Sequence, residues 1–205
     1  MDAPRPLKSI AEPKVLIVEG EDDRRLFSEL IAHLHLSEIE VRAIGGKTKF
    51  RSNVKALTIT SGFDKVSSVG VIRDADEDPT AAFQSVCDAL QDTGLPRPEE
   101  PLQPVGDSPQ VLVMLLPDGE TPGMLEDLCL QSVKEDPATR CVDEYFECLQ
   151  DQLNVLPRNL SKARLHAFLA SRERPDLRLG EAAQRGYWLW DHPVFEQSKR
   201  FLRML

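Results

Sequence analysis

The sequence predicts an α/β protein: a mainly parallel four-stranded sheet flanked by helices and continued by a helical C-terminal extension. Three observations predict it. Four short runs rich in aliphatic and β-branched residues, "KVLIV", "IEVRAI", "VSSVGVI" and "VLVMLLP", recur between residues 14 and 117. Each is followed by a segment with apolar residues at helical spacing, the rhythm of strands joined by right-handed crossovers in one sheet. From about Ala138 the strand-like runs stop, and "CVDEYFECLQDQL", "SKARLHAFLASR" and "HPVFEQSKRFLRML" read as helices. With 205 residues, 41% of them hydrophobic, the chain can bury one ordinary core.

The elements follow in order. "KVLIV" (14–18) is a buried strand closed by Glu19-Gly20. Leu26, Phe27, Leu30, Ile31 and Leu34 then recur on one helical face, with Asp22 or Asp23 suited to cap its start. A second strand (39–44) ends in "GGKTKF", and a weakly patterned helix runs from about Arg51 to Thr60. The third strand (66–72) ends in "RDADEDP", where Pro79 suits the first turn of a helix reaching about Leu90. Five prolines between Gly94 and Pro109 forbid helix and central strand, so an extended, mobile surface loop is expected there. The fourth strand (111–117) leads to a helix starting near Pro122 or Gly123. The resulting division is a first domain over 12–137 and a helical extension over 138–205.

Composition excludes several classes. No run approaches the roughly 18 apolar residues of a membrane span, and "MDAPRPLKSI" lacks the apolar core of a signal peptide, so a soluble cytoplasmic protein without a membrane partner is expected. Cys87, Cys129, Cys141 and Cys148 form no zinc pattern and are expected to be buried, reduced thiols. His33, His35, His166 and His192 lack ligand spacing, and Trp188 and Trp190 in "YWLWDHP" are expected to pack rather than stack on bases. The net charge of -9 argues against a basic protein wrapping nucleic acid. That charge is uneven: residues 1–138 hold 25 acids against 14 Lys and Arg, and the remainder 9 against 11. A carboxylate-rich site beside a mildly basic surface fits this distribution, as does a merely acidic soluble protein.

Ligands of open parallel sheets bind beyond the carboxyl ends of the strands. The polar residues at those ends should therefore converge: Glu19 and Asp23 after the first strand, Gly45 to Lys49 after the second, Asp74 and Asp76 after the third, and Glu126 in the helix after the fourth. Carboxylates gathered from such distant positions suit a hard divalent cation, Mg²⁺ or in its place Mn²⁺. Glu21, Asp22, Glu77 and Asp78 read as solvent-facing or capping acids. "GGKT" is no Walker motif, because Val41 stands where a glycine is required. Lys47 and Lys49 in that glycine loop are compatible both with contact to a phosphate and with a plain turn.

"VEGEDD", "DAD" and "GMLED" resemble the motifs of the Toprim fold, shared by topoisomerases, bacterial primases, recombination mediators and the overcoming-lysogenization-defect (OLD) nucleases. The resemblance covers about residues 12–135 well and the tail more loosely, and extends to small stand-alone Toprim proteins of bacteria and archaea. It implies that Glu19 is the glutamate after the first Toprim strand, that Asp23 is the second acid of the OLD-type E-x-x-x-D/E pattern, and that Asp74 and Asp76 are the D-x-D pair. Glu126 matches the acid of the last OLD motif, and Lys162 in "LSKARLHAFLAS" looks like the lysine beyond the Toprim core. Two departures stand out. Met124 replaces the serine usual two residues before that glutamate, and the chain begins almost at its first strand, where OLD nucleases carry an ATPase domain.

The resemblance implies a Mg²⁺-dependent phosphodiester-cleaving protein acting on nucleic acid. Glu19, Asp23, Asp74, Asp76 and Glu126 would hold metal, and Glu19 and Lys162 would take catalytic roles; Lys47 is the glycine loop's own candidate for a phosphate contact, with a plain turn as the alternative. The competing expectation is a non-catalytic Toprim module that binds nucleic acid or a protein partner in DNA repair or defence, alone or as a homo-oligomer. A topoisomerase is not expected, because the only tyrosines, Tyr145 and Tyr187, lie in the tail.

Overall fold

The computed structural model describes residues 9–46 and 49–205. Four strands, β1 (Lys14–Val18), β2 (Ile39–Ala43), β3 (Ser68–Asp74) and β4 (Gln110–Leu116), form one sheet in the order β2-β1-β3-β4. Every pairing is parallel, with Leu16 opposite Val41 and Gly70, and Gly70 opposite Leu112. The expected α/β architecture is therefore the observed one.

Strand alternation separates two apolar layers. Val15, Ile17, Val69, Val71, Val111 and Val113 face α2 (Phe50–Thr58) and α3 (Pro79–Asp92), which contribute Phe50, Val54, Leu57, Val86 and Leu90. Leu16, Val18, Ile72, Leu112, Met114 and Leu116 point the other way, towards α1 (Glu21–His33) and α4 (Leu125–Ser132). The tail packs on this same face as α5 (Pro137–Leu153), α6 (Leu160–Ala170), α7 (Leu179–Gln184) and α8 (Glu196–Met204), adding Phe146, Phe168, Trp188, Phe195 and Phe201. Gly70 lets α8 approach β3, since a Cβ there would lie 2.5 Å from Leu205 Cδ1 and 3.1 Å from Phe201 Cζ. Trp188 is buried as a packing residue, stacked on Phe168 at 6.0 Å and donating its Nε1–H to Leu179 O at 3.2 Å.

The structure departs from the sequence reading in four places. The proline-rich segment does not stand free. Leu102 N–H donates to Val113 O at 2.8 Å, and Val105 and Val111 exchange backbone bonds of 3.0 and 2.8 Å, so the segment covers the outer edge of β4. An uncovered edge strand would otherwise offer a row of unpaired amides to other chains. Residues 121–124 form a bend and then a bridge rather than a helix turn, because Gly123 pairs antiparallel with Asp76 and α4 begins at Leu125. Helix α7 was not foreseen, being six residues long with no resolvable period. Only Cys87 and Cys129 are buried; Cys141 and Cys148 are exposed on α5. Among the described residues no helix is long and apolar enough to cross a membrane.

Candidate functional site: a carboxylate cluster at the strand ends

Glu19 leaves β1 where the chain turns into α1, and its carbonyl accepts from Gly46 N–H at 2.9 Å, closing the glycine loop after β2 over it. Gly45 and Gly46 have φ of 76° and 96°, a backbone region that favours glycine. Gly20 is the N-cap of α1, and Asp23 at the third helical position accepts from Gly20 N–H through Oδ2 at 3.2 Å. Asp74 is the last residue of β3. Its Oδ1 accepts from Leu125 N–H at 2.9 Å, tying that strand end to the first turn of α4, from which Glu126 projects. Lys162 stands in the first turn of α6, whose N-cap Asn159 accepts from Lys162 N–H at 2.9 Å.

A cleft of about 460 Å³ is lined by Glu19, Asp23, Asp74, Glu126 and Lys162, together with Gly45, Gly46 and Arg178. The topology thus brings together four of the five predicted carboxylates and the predicted lysine. Asp76 is separate. With φ of 53° and its backbone bridged to Gly123, it lines a neighbouring cleft of about 890 Å³ with Met124, Asp127, Arg158, Asn159 and Ser161. Lys47 lies outside the described residues. Glu21 and Asp78 take the roles expected of them, Glu21 pairing with Arg24 at the surface and Asp78 capping α3 through Ala81 N–H at 2.9 Å, whereas Asp22 is half-buried, accepts from Gly180 N–H at 3.1 Å and so ties α1 to the tail; Glu21 and Asp22 also line the cleft.

The cluster is electrostatically costly. Burial, followed by the charges of Glu19 and Glu126, pushes the Asp23 carboxyl up to about 7. Burial and then the neighbouring Asp23, Glu19 and Glu126 charges raise Asp74 well above the ordinary carboxylate range. Glu126 is raised chiefly by burial, an effect that Lys162 opposes from 3.7 Å. Asp23 is only 8% exposed, and its Oδ1 has no hydrogen-bond partner.

Sequence reasoning missed Arg73. It precedes Asp74 on β3, is 2% exposed, and donates from Nε to Glu19 Oε1 at 3.0 Å and from Nη1 to Ser85 Oγ at 3.2 Å. The "RDAD" string was read for its acids, yet an arginine inside an otherwise apolar strand was the available signal, because a buried guanidinium requires a partner. Ser161 was also missed. It donates to Asp127 Oδ1 at 2.5 Å and joins α6 to α4. Met124, where the OLD motif has serine, accepts at its sulfur from Asn159 Nδ2 at 3.5 Å.

The donor set suits a hard cation, being all oxygen, mutually repulsive and endowed with an unpartnered buried carboxylate oxygen. Among the described residues no three acid, His or Cys side chains close on a single point. An ion here would therefore take few protein ligands and complete its shell with water, as Mg²⁺ commonly does.

A family model covers nearly all of this architecture, matching residues 13–205. The chain belongs to the DUF3226 family. That family is described as a protein of unknown function. Among solved structures, this DUF3226 chain is similar to the C-terminal region of the Burkholderia pseudomallei OLD protein, with 15% identity, 95% of this chain and 96% of that chain covered, and a TM-score of 0.50. It also matches the C-terminal region of the Xanthomonas campestris pv. campestris OLD protein, with 15% identity, 93% and 81% of the two chains covered, and a TM-score of 0.36. At such identity the likeness to the Burkholderia structure is one of fold. No curated protein matches the sequence.

Proposed function

We propose that this DUF3226 protein is a Toprim protein that cleaves phosphodiester bonds of nucleic acid in the cytoplasm with Mg²⁺ or Mn²⁺, residues 12–137 forming the Toprim domain and 138–205 a helical extension that supplies Lys162. The observation that carries this reading is the meeting of Glu19, Asp23, Asp74 and Glu126 with Lys162 in one strand-end cleft. The resemblance to OLD-type motifs, and the similarity in fold to the C-terminal region of an OLD protein, support it.

Asp23 and Asp74 would hold the cation, with Glu126 and Glu19 reaching it through water. A bound divalent ion would supply charge neutralisation at the phosphate and an activated water. Burial holds the Asp23 carboxylate in place and the Leu125 N–H holds that of half-buried Asp74, and the helix starts behind Asp23 and Glu126 favour negative charge there. Lys162, 55% exposed at its side chain and 3.7 Å from Glu126, is free to turn from that glutamate to an arriving phosphate. The test is cleavage of single- and double-stranded DNA and RNA with Mg²⁺, with Mn²⁺ and with chelator. Metal-dependent cleavage by wild type and its loss in Asp74→Asn are expected. Equal activity in the two proteins would refute the assignment.

One observation favours a second reading. Glu19, the residue matching the Toprim glutamate, is already ion-paired with buried Arg73. A non-catalytic module that uses the same cleft to bind nucleic acid or a protein partner, as a recombination mediator does, would accommodate that pair. Binding without cleavage in the same assay would select it.

A further inference from the structure

We propose that the outer edge of β2 is a dimerisation surface, on which a second copy of this chain lays its own β2 antiparallel about a two-fold axis at Val41, making one continuous sheet. The two sides of the sheet end differently. At β4 the proline-rich segment takes up outward backbone groups, whereas β2 is the last strand on its side. Lys14 N–H donates to Glu38 O at 3.2 Å, and Ile44 N–H donates to Val18 O at 3.0 Å. These two bonds fix the parity of the strand: its even-numbered residues turn their backbone towards β1, and Ile39, Val41 and Ala43 turn theirs outward. Among the described residues no backbone group meets those outward amides and carbonyls. Residues 9–11 bond to β2 through its side chains instead, Ser9 O accepting from Arg42 Nη2 at 2.7 Å and Ala11 N–H donating to Glu40 Oε2 at 2.9 Å.

An open edge of this kind pairs with another strand unless proline, a bulge or opposed like charges prevent it. The strand has no proline, and its two charges are of opposite sign. In the antiparallel register centred on Val41, Ile39 faces Ala43 of the second copy, Val41 faces Val41, and Glu40 faces Arg42. Every outward N–H then finds an outward C=O. The charged pairs fall at the non-hydrogen-bonded positions, where Cα atoms stand about 4.5 Å apart and side chains come closest. Within one copy Glu40 and Arg42 are already paired at 2.5 Å, so the axis joins two such pairs into an alternating ring of charge. Glu38, just before the strand, falls opposite Ile44 and meets no charge there. Moving the axis by one residue sets Glu40 against Glu40 or Arg42 against Arg42 and leaves an outward residue without a mate in the strand. Antiparallel pairing also places the two carboxylate clefts at opposite ends of the joined sheet, so the interface does not depend on what the cleft binds.

The experiment is sedimentation equilibrium of the full chain across a dilution series, with amide hydrogen exchange on the same samples. Wild type is expected to be a dimer whose Ile39, Val41 and Ala43 amides lose protection as dilution splits it. Val41→Pro removes an outward N–H and no bond to β1, so it is expected to stay folded and become monomeric. Glu40→Arg and Arg42→Glu each set like charges across the axis and are expected to raise the dissociation constant by about tenfold. An equimolar mixture of those two variants is expected to recover the dimer, because each charge then faces its opposite. A chain that stays monomeric at every concentration would overturn the proposal, as would protection of those amides in a monomer, which would mean that the chain covers its own edge. A dimer indifferent to Val41→Pro and to the charge variants would place the interface elsewhere, as on the face of α5 around exposed Tyr145, and would equally overturn it.

Discussion

Without metal, the protein is expected to lose stability as pH rises from about 5 to about 8, the reverse of the usual behaviour of ion-paired carboxylates. Asp23 carries the largest part that can be worked through. Its carboxyl has a folded value of about 7 against an ordinary 3.8, so between those values the folded chain binds a proton that the unfolded chain has released. The resulting stability is fully present below the ordinary value and is lost as pH passes through the folded one. At about 1.4 kcal/mol per pH unit, the two units from pH 5 upward amount to about 3 kcal/mol. For a chain of this size that corresponds to a fall of about 6–12 °C in Tm. Glu21, Asp118, Asp136, Asp176, Glu181 and Glu196, all lowered, act in the opposite sense, but their contribution is complete once pH exceeds the ordinary carboxylate range. Thermal unfolding in chelator at pH 5–8, for wild type and Asp23→Asn, isolates the effect. Wild type should fall by about 3 kcal/mol relative to the variant across that window. Parallel curves would refute the assignment of a buried, repelled carboxylate at Asp23, and saturating Mn²⁺ should flatten or reverse the wild-type slope, since the ion competes with the proton.

Other expected outcomes follow from single contacts. Lys162→Met should leave the Tm and its metal-induced rise nearly unchanged while lowering any cleavage by roughly 100-fold, the scale for one electrostatic stabiliser; unchanged cleavage would return Lys162 to an ordinary surface ion pair. Val105→Pro removes the N–H that bonds Val111 O, should cost about 1–2 kcal/mol and expose the edge of β4, and should raise self-association in light scattering. Unchanged scattering would mean the proline-rich segment does not protect that edge. Gly180→Val places a Cβ 2.7 Å from Arg25 Cβ and 2.9 Å from Asp22 O, so it should lift α7 from α1 at a cost of about 1–3 kcal/mol in chemical denaturation.

The sheet was legible because its four strands are short, aliphatic and separated by helical spacing, and nothing in the tertiary structure opposes that pattern. The carboxylates were legible because parallel strands deliver their carboxyl ends to one edge whatever the details of packing. Asp76 shows the limit of that rule. Two residues beyond β3 its backbone turns to a φ of 53° and bridges to Gly123, and the residue lines the neighbouring cleft. The proline-rich segment was misread for a related reason. Proline density excludes helix and central strand, but it does not prevent the intervening Leu102 and Val105 from pairing with an edge. Arg73 is not legible in "RDAD" because its role depends on Glu19, 54 residues away in sequence.

The tail and the candidate site are mechanically joined, and this follows from which helices carry the acids. Asp23 sits on α1 and Glu126 on α4. Tail groups hold both of these helices at their first turns: Gly180 N–H and Glu181 bind Asp22 and Arg25 on α1, and Ser161 binds Asp127 on α4. The tail therefore does more than bring Lys162 to the cleft. It fixes the separation of two helix starts whose carboxylates repel one another, and it does so with contacts one or two residues away from Asp23 and one from Glu126. A chain shortened before α6 would keep every carboxylate of the cluster and lose the restraints that hold them together, so intact strand-end motifs alone would not preserve the site.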